Sequence, residues 1–187
     1  MNRRVLLILG LGVAVVAVIA ILLSMALGPE SGGQDAVVES VVATPTPSPP
    51  QRIILLYAGS DGMLYPEVRE VPLPAEIEAR MRVVIEELLA GPTQGLRPPI
   101  PYEAELNGVF VDIEGNGYVD VTAPPEPLQG SHTELLLTYS VVDSILLNCP
   151  DLAAVQLLFS GQEVDTLTGH LDLSRPLTLN KRFVAGL

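Results

Sequence analysis

Twenty-four consecutive residues without a formal charge, Val5 to Gly28, constrain this 187-residue chain more than any other feature. As a helix the run would extend roughly 36 Å, slightly more than the roughly 30 Å hydrocarbon core of a bilayer. No surface in a domain of this size would cover a segment apolar on every side, so a spanning helix is expected. Arg3 and Arg4 precede the run, and the first charges after it are Glu30, Asp35 and Glu39. The positive-inside bias then makes residues 1–4 a cytoplasmic tip, 5–28 a single-pass signal-anchor in the cell membrane, and the rest extracytoplasmic. The rival reading is a cleaved secretory signal. Ser24 and Ala26 offer a small-residue cleavage site, although the run is longer than the about 7 to 15 apolar residues of a signal's central region. No cysteine lies nearby to carry a lipid.

Charge narrows the choice of partner. All 22 acidic residues follow Gly28, with eight of the ten basic ones, giving that part a net charge of −14. Such a field repels phosphate backbones and anionic headgroups, and excludes nucleic acid as a natural partner. Cys149 is the only cysteine, so no intrachain disulfide can form. Its place near the end of an apolar segment marks it as a small buried hydrophobe.

Residues 29–51 read as a disordered Pro/Thr/Ser-rich linker, because the alternating prolines from Ala43 to Pro50 favour extended polyproline II and leave no face to bury. The folded domain is expected over 52–182, with 183–187 a frayed tail. Ile53 to Tyr57 and Met63 to Val71, joined by Gly59-Ser-Asp-Gly62, predict a β-hairpin. Ala75 to Ala90 carries apolar residues at helical spacing, with Gly91 as left-handed cap and Pro92 as the stop.

Val109, Val111 and Ile113, then Val119 and Val121, alternate with polar residues around Gly115-Asn-Gly117. A three-residue loop with Gly117 in the left-handed position pairs Ile113 with Val119 and Val111 with Val121. Asp112 and Asp120 would then face each other, a candidate cation pair with too few oxygens in sight for Ca²⁺ or Mg²⁺. Ser131 and Glu134 form the capping-box pattern at the start of a second helix that ends between Asn148 and Pro150. Val155 to Ser160 and Glu163 to Leu167 complete an α+β single domain of order ββαββαββ, with a mixed sheet and two helices packed on one face.

Chemistry is sparse. No nucleophile elbow, phosphate loop, Cys pair or His-Glu-x-x-His helix occurs. His132 and His170 lack a third ligand at metal-like spacing, and Ser131 is accounted for by capping. The carboxylates read as lying on solvent faces, none embedded in apolar sequence as a raised-pKa acid requires. No catalytic residue, cofactor or metal is expected, and the chain is not expected to be an enzyme.

Leu88-Leu-Ala-Gly-Pro-Thr93 with Gly95-Leu96 and Pro101 resembles the middle of the GerMN domain family of sporulation and germination proteins. The resemblance continues through Gly117-Tyr-Val-Asp-Val121, Glu134-Leu135, Tyr139-Ser-Val-Val142 and Gly169 to Leu177. It implies an extracytoplasmic, membrane-anchored or lipoprotein-linked α+β domain without established catalysis. Members are associated with spore-envelope assemblies, lipoproteins that modulate sensor kinases, and cell-wall hydrolases. The expected partners are therefore envelope proteins, a second copy, or cell-wall material. The expected role is interaction, with a cell-wall-fragment sensor as the alternative. The helix and strand order from Ala75 to Ser160 resembles the ring-building motif, which assembles by lateral contacts.

Overall fold

The computed structural model describes residues 49–98, 100–124 and 128–186. The expected anchor at 5–28 and most of the linker lie outside these residues. Among the described residues no helix is long and apolar enough to cross a membrane.

Two sheets form where one was expected. Strands β1 (Pro50–Ala58) and β2 (Leu64–Pro72) pair antiparallel as a two-stranded sheet, Ile53 opposite Arg69 and Tyr57 opposite Tyr65. Helix α1 (Ile77–Leu89) follows. Strands β3 (Leu106–Val111), β4 (Asn116–Val121) and β5 (Ala154–Phe159) make a second sheet in that order, β3 antiparallel and β5 parallel to β4. Helix α2 (Ser131–Asn148) is the crossover between the parallel strands. The strand expected at 163–167 is replaced by irregular chain, and only a bridge from Phe159 to Gln162 remains.

Both helices lie against the three-stranded sheet, α1 on β3 and α2 on β5, and both also reach β1 of the other sheet. Helix α2 is buried around most of its circumference, packing on α1, β1 and β5, while α1 packs on β3 and β1. The reason is a polar stripe inside an apolar helix: Ser140, Ser144 and Asn148, one turn apart, lie along the edge of β1 that β2 leaves open. Ser144 Oγ accepts from the Leu56 amide at 2.9 Å, Ser140 Oγ donates to the Leu56 carbonyl at 2.6 Å, and the Asn148 amide group closes both backbone groups of Ile54 at 2.9 and 2.7 Å. Side chains of a helix thus stand where a third strand would. Replacing Asn148 with Ala leaves both Ile54 groups unpaired, and should cost about 2 kcal/mol by denaturant titration.

Because α2 takes the edge of β1, both faces of that strand are buried. Ile53, Leu55 and Tyr57 enter the main core with Met81, Val84 and Ile85 of α1. Leu56 and Ala58 face a second cluster closed by the C-terminal segment. There Phe183 stacks on Tyr139 with ring centroids 5.5 Å apart, and the Ala185 amide donates to the Leu64 carbonyl at 2.8 Å. A short 3-10 turn, Lys181–Phe183, places these residues. The expected fraying at 183–187 therefore does not hold for Phe183 to Ala185: two apolar side chains and a backbone bond dock them.

The β3–β4 hairpin departs from the expected register. Val109 pairs with Val119 and Val111 with Gly117. The Asp112 carboxylate accepts from the amides of Glu114 and Asn116, both at 2.9 Å, which builds a longer turn with Gly115 at φ +83°. Gly117 is not left-handed. Its lack of a side chain instead admits Met81, since a Cβ there would lie 2.8 Å from the Met81 Cε atom.

Candidate functional site

A recess of about 620 Å³ opens between the last turn of α1, Leu88 to Gly91, and the segment from Pro98 and Ile100 to Ala104. That volume is in the range of small-molecule and peptide side-chain sites. The sequence makes it by stopping α1 abruptly: Ala90 caps the helix, Gly91 turns at φ +84°, and the chain returns through the proline-rich loop to pack Leu96, Tyr102 and Ala104 against the core. Pro92, expected as the helix stop, lies directly after this turn.

The helix end is braced from below. Arg69 on β2 donates to the Glu87 carbonyl at 2.8 Å and to the Gly91 carbonyl, placing a cation at the negative end of the helix dipole. Its guanidinium also meets Glu67 at 2.7 Å and Glu87 at 3.0 Å, and lies 5.7 Å from the Tyr57 ring centre. The Tyr57 hydroxyl donates toward the same carbonyls, and burial pushes its phenol up to about 12. Glu67 passes the support onward by accepting from the Thr93 amide at 2.9 Å. Replacing Arg69 with Met keeps the aliphatic packing but removes these bonds, and should lower stability by about 2 kcal/mol in a thermal or denaturant melt.

The recess lining is mostly carbon and backbone. Tyr102 donates its hydroxyl to the Thr122 carbonyl at 3.1 Å and, pushed up to about 12 by burial, stays protonated. Glu103 is the other ionisable group on the wall, and it is exposed. Such a wall can hold apolar groups by contact.

The other residues singled out in the sequence serve elsewhere. Asp112 and Asp120 do not face each other: Asp120 stands opposite Gly108 and accepts from the Gly161 amide at 2.8 Å. Asp112 also takes Asn116 Nδ2 and the Tyr118 hydroxyl, and these donors, Asn116 first, hold its carboxyl below the usual range. Among the described residues no group of three or more His, Cys, Asp or Glu could hold a metal. His132 instead bonds the Gly62 carbonyl at 2.8 Å.

Ser131 and Glu134 form no capping box. Gly130 occupies the cap without a side-chain bond, and Ser131 is exposed. Glu134 is fully buried, with its carboxylate inside the 166–170 loop. It accepts from the hydroxyls of Thr166 (2.7 Å) and Thr168 (2.5 Å) and from the amides of Leu167, Thr168 and His170. Burial alone would raise its pKa, but these donors pull it down to about 2. A second buried acid was not anticipated. Asp143 lies in the apolar run of α2, one oxygen accepting from the Asn180 amide at 3.0 Å and the other without a partner, and burial pushes it up to about 6.

Residues 54–165 match the sequence model of the Germane family, described as sporulation and spore germination. The chain belongs to that family. The Germane domain here is similar to a Clostridium perfringens structure assigned as a lipoprotein, at TM-score 0.50 and 18% identity over 70% of this chain and 88% of that one. It is also similar to the tandem GerMN domains of the sporulation protein GerM from Bacillus subtilis, at TM-score 0.51 and 18% identity, covering 69% of this chain and 46% of the tandem chain. At such identity these likenesses bear on the fold. No curated protein matches the sequence.

Proposed function

We propose that this Germane-family chain is a membrane-tethered, extracytoplasmic, non-enzymatic interaction module of the bacterial cell envelope that binds or stabilises envelope or sporulation-type protein assemblies. The observation that carries the reading is the braced apolar recess at the end of α1, a rigid surface suited to holding a partner side chain and poor in reactive groups. The uncharged run Val5 to Gly28 supplies the tether, and the C. perfringens structure assigned as a lipoprotein is in keeping with a membrane attachment. A photo-crosslinking residue in place of Leu89, irradiated in intact cells, should yield a discrete adduct with an envelope protein. The same residue in place of exposed Ser174 should not. Absence of any Leu89 adduct, or turnover of cell-wall polymer by the purified chain, would contradict the proposal.

The size of the recess also favours a second reading, a sensor for a cell-wall fragment. Purified muropeptides should then raise the melting temperature of the chain, and Tyr102→Ala should abolish the rise.

A further inference from the structure

Four strand edges border the two sheets, and three are occupied or blocked. The open edge of β1 is taken by α2 and, at Ala58, by two backbone bonds to Arg97. Since Ile54, Leu56 and Ala58 turn their backbones away from β2, their register partners and neighbours on β2 also point outward: Leu64, Pro66, Val68, Glu70 and Pro72. Two of those five lack an N–H, and Leu64 already accepts from Ala185. On β5, Val155 exchanges both bonds with Leu177, Phe159 accepts its bridge from Gln162, and the Gln156 side chain covers the Leu157 carbonyl.

Strand β3 is different. The Asp112 amide donates across to Asn116, so by alternation Phe110 faces β4 while Val109 and Val111 point their backbone groups outward. No described residue bonds to that edge, which carries no proline or lysine and only a bulge near its start. Uncovered edges of this kind are templates for an added strand. The two most exposed large hydrophobics of the domain stand beside it, Phe110 at 59% exposure and Ile113, wholly exposed at the hairpin tip.

Charge selects the occupant. No lysine or arginine lies between Arg97 and Arg175, against twelve carboxylates, so β3, β4, α2 and β5 come from chain without a single such cation. Asp112, Glu114 and Asp120 belong to the hairpin, and Glu163 is close enough to act on the Tyr118 phenol. A second copy paired edge to edge would bring two acidic hairpins together, which like-charge repulsion opposes.

We propose that the outer edge of β3 is a docking site for an extended lysine- or arginine-rich segment of a partner protein, which joins the β3–β4–β5 sheet as a fourth strand. Main-chain bonds to Val109 and Val111 supply the pairing, Phe110 and Ile113 the apolar contact, and the surrounding carboxylates the choice of a basic strand. The inference rests on the interaction reading above but uses a surface separate from the Leu89 wall, so either can fail alone.

The test is amide hydrogen exchange on the full-length chain in detergent micelles, with a synthetic peptide of roughly ten residues alternating lysine and valine as the probe. The amides of Val109 and Val111 should slow by about tenfold or more, less so at high salt, while that of Val68 on β2 stays unchanged. Val111→Pro should abolish the effect, since the lost N–H points outward. Glu114→Lys, at an exposed site that should leave folding intact, should weaken peptide binding several-fold. Equal slowing by a glutamate-valine peptide, binding that leaves both amides unaffected, or slowing on concentrating the chain without peptide, which would assign the edge to a second copy, overturns the proposal.

Discussion

Replacing Glu134 with Ala should destabilise the domain by about 4 kcal/mol, the largest single-residue effect expected here. The carboxylate gathers two hydroxyls and three backbone amides from Thr166 to His170 around one buried charge. Removing it leaves those donors without their shared acceptor, and the loop from Thr166 to His170 loses its anchor to α2. Amide exchange should accelerate first at Leu167, Thr168 and His170, ahead of global unfolding. The wild-type chain carries the same signature in pH. The folded value of about 2 lies below the ordinary 4.5, so the stabilisation is fully present above pH 4.5 and is lost as pH falls toward 2. The linkage amounts to about 3 kcal/mol. An acid limb unchanged in Glu134→Ala would show that the carboxylate does not hold the loop.

Asp143→Asn should do the opposite, raising stability above pH 6 by up to about 3 kcal/mol. Asp143 is pushed from 3.8 to about 6, so the folded state binds its proton more tightly than the unfolded state. Stability then falls as pH rises from about 4 through 6, and stays lower above that. The amide keeps an oxygen for the Asn180 N–H and removes the charge that must be buried. Together the two acids place the wild-type optimum near pH 4, below which the Glu134 contribution is lost and above which the cost of burying the Asp143 charge grows until pH 6. Urea titrations across pH 3 to 8 should show that maximum, and the Asn variant should lose the decline on its neutral side. A decline of equal depth in both proteins would rule out Asp143 as its cause.

These acids also show where the sequence was legible and where it was not. Both hairpins, both helices and the parallel strand after α2 could be read from turn residues and periodicity, because those signals are local. Glu134 could not. Its capping pattern with Ser131 is a local signal, but five donors more than thirty residues away outcompete one helix amide. Asp143 did leave a sign, a lone carboxylate between Val142 and Ser144 in an otherwise apolar helix.

In the β3–β4 hairpin, alternation settled which residues share a face but not which ones pair. The observed register differs from the expected one by an even number of residues, so Val109, Val119 and Val121 are still buried and only Ile113 is expelled. The Asp112 turn decided the difference. The stripe Ser140, Ser144 and Asn148 reads as a solvated helix face until β1 is known to lack a partner on that side. The recess could not be read at all, since it depends on where Ile100 to Ala104 return against α1.

The central claim is that this domain works outside the membrane, and thiol labelling tests it directly. Cys149 is buried with its thiol pushed up to about 11, so the native chain should be silent to maleimides. With Ser60→Cys, on the exposed turn between β1 and β2, a membrane-impermeant maleimide should label intact cells as fully as lysed ones. Labelling that appears only after lysis would place the domain in the cytoplasm and contradict the account.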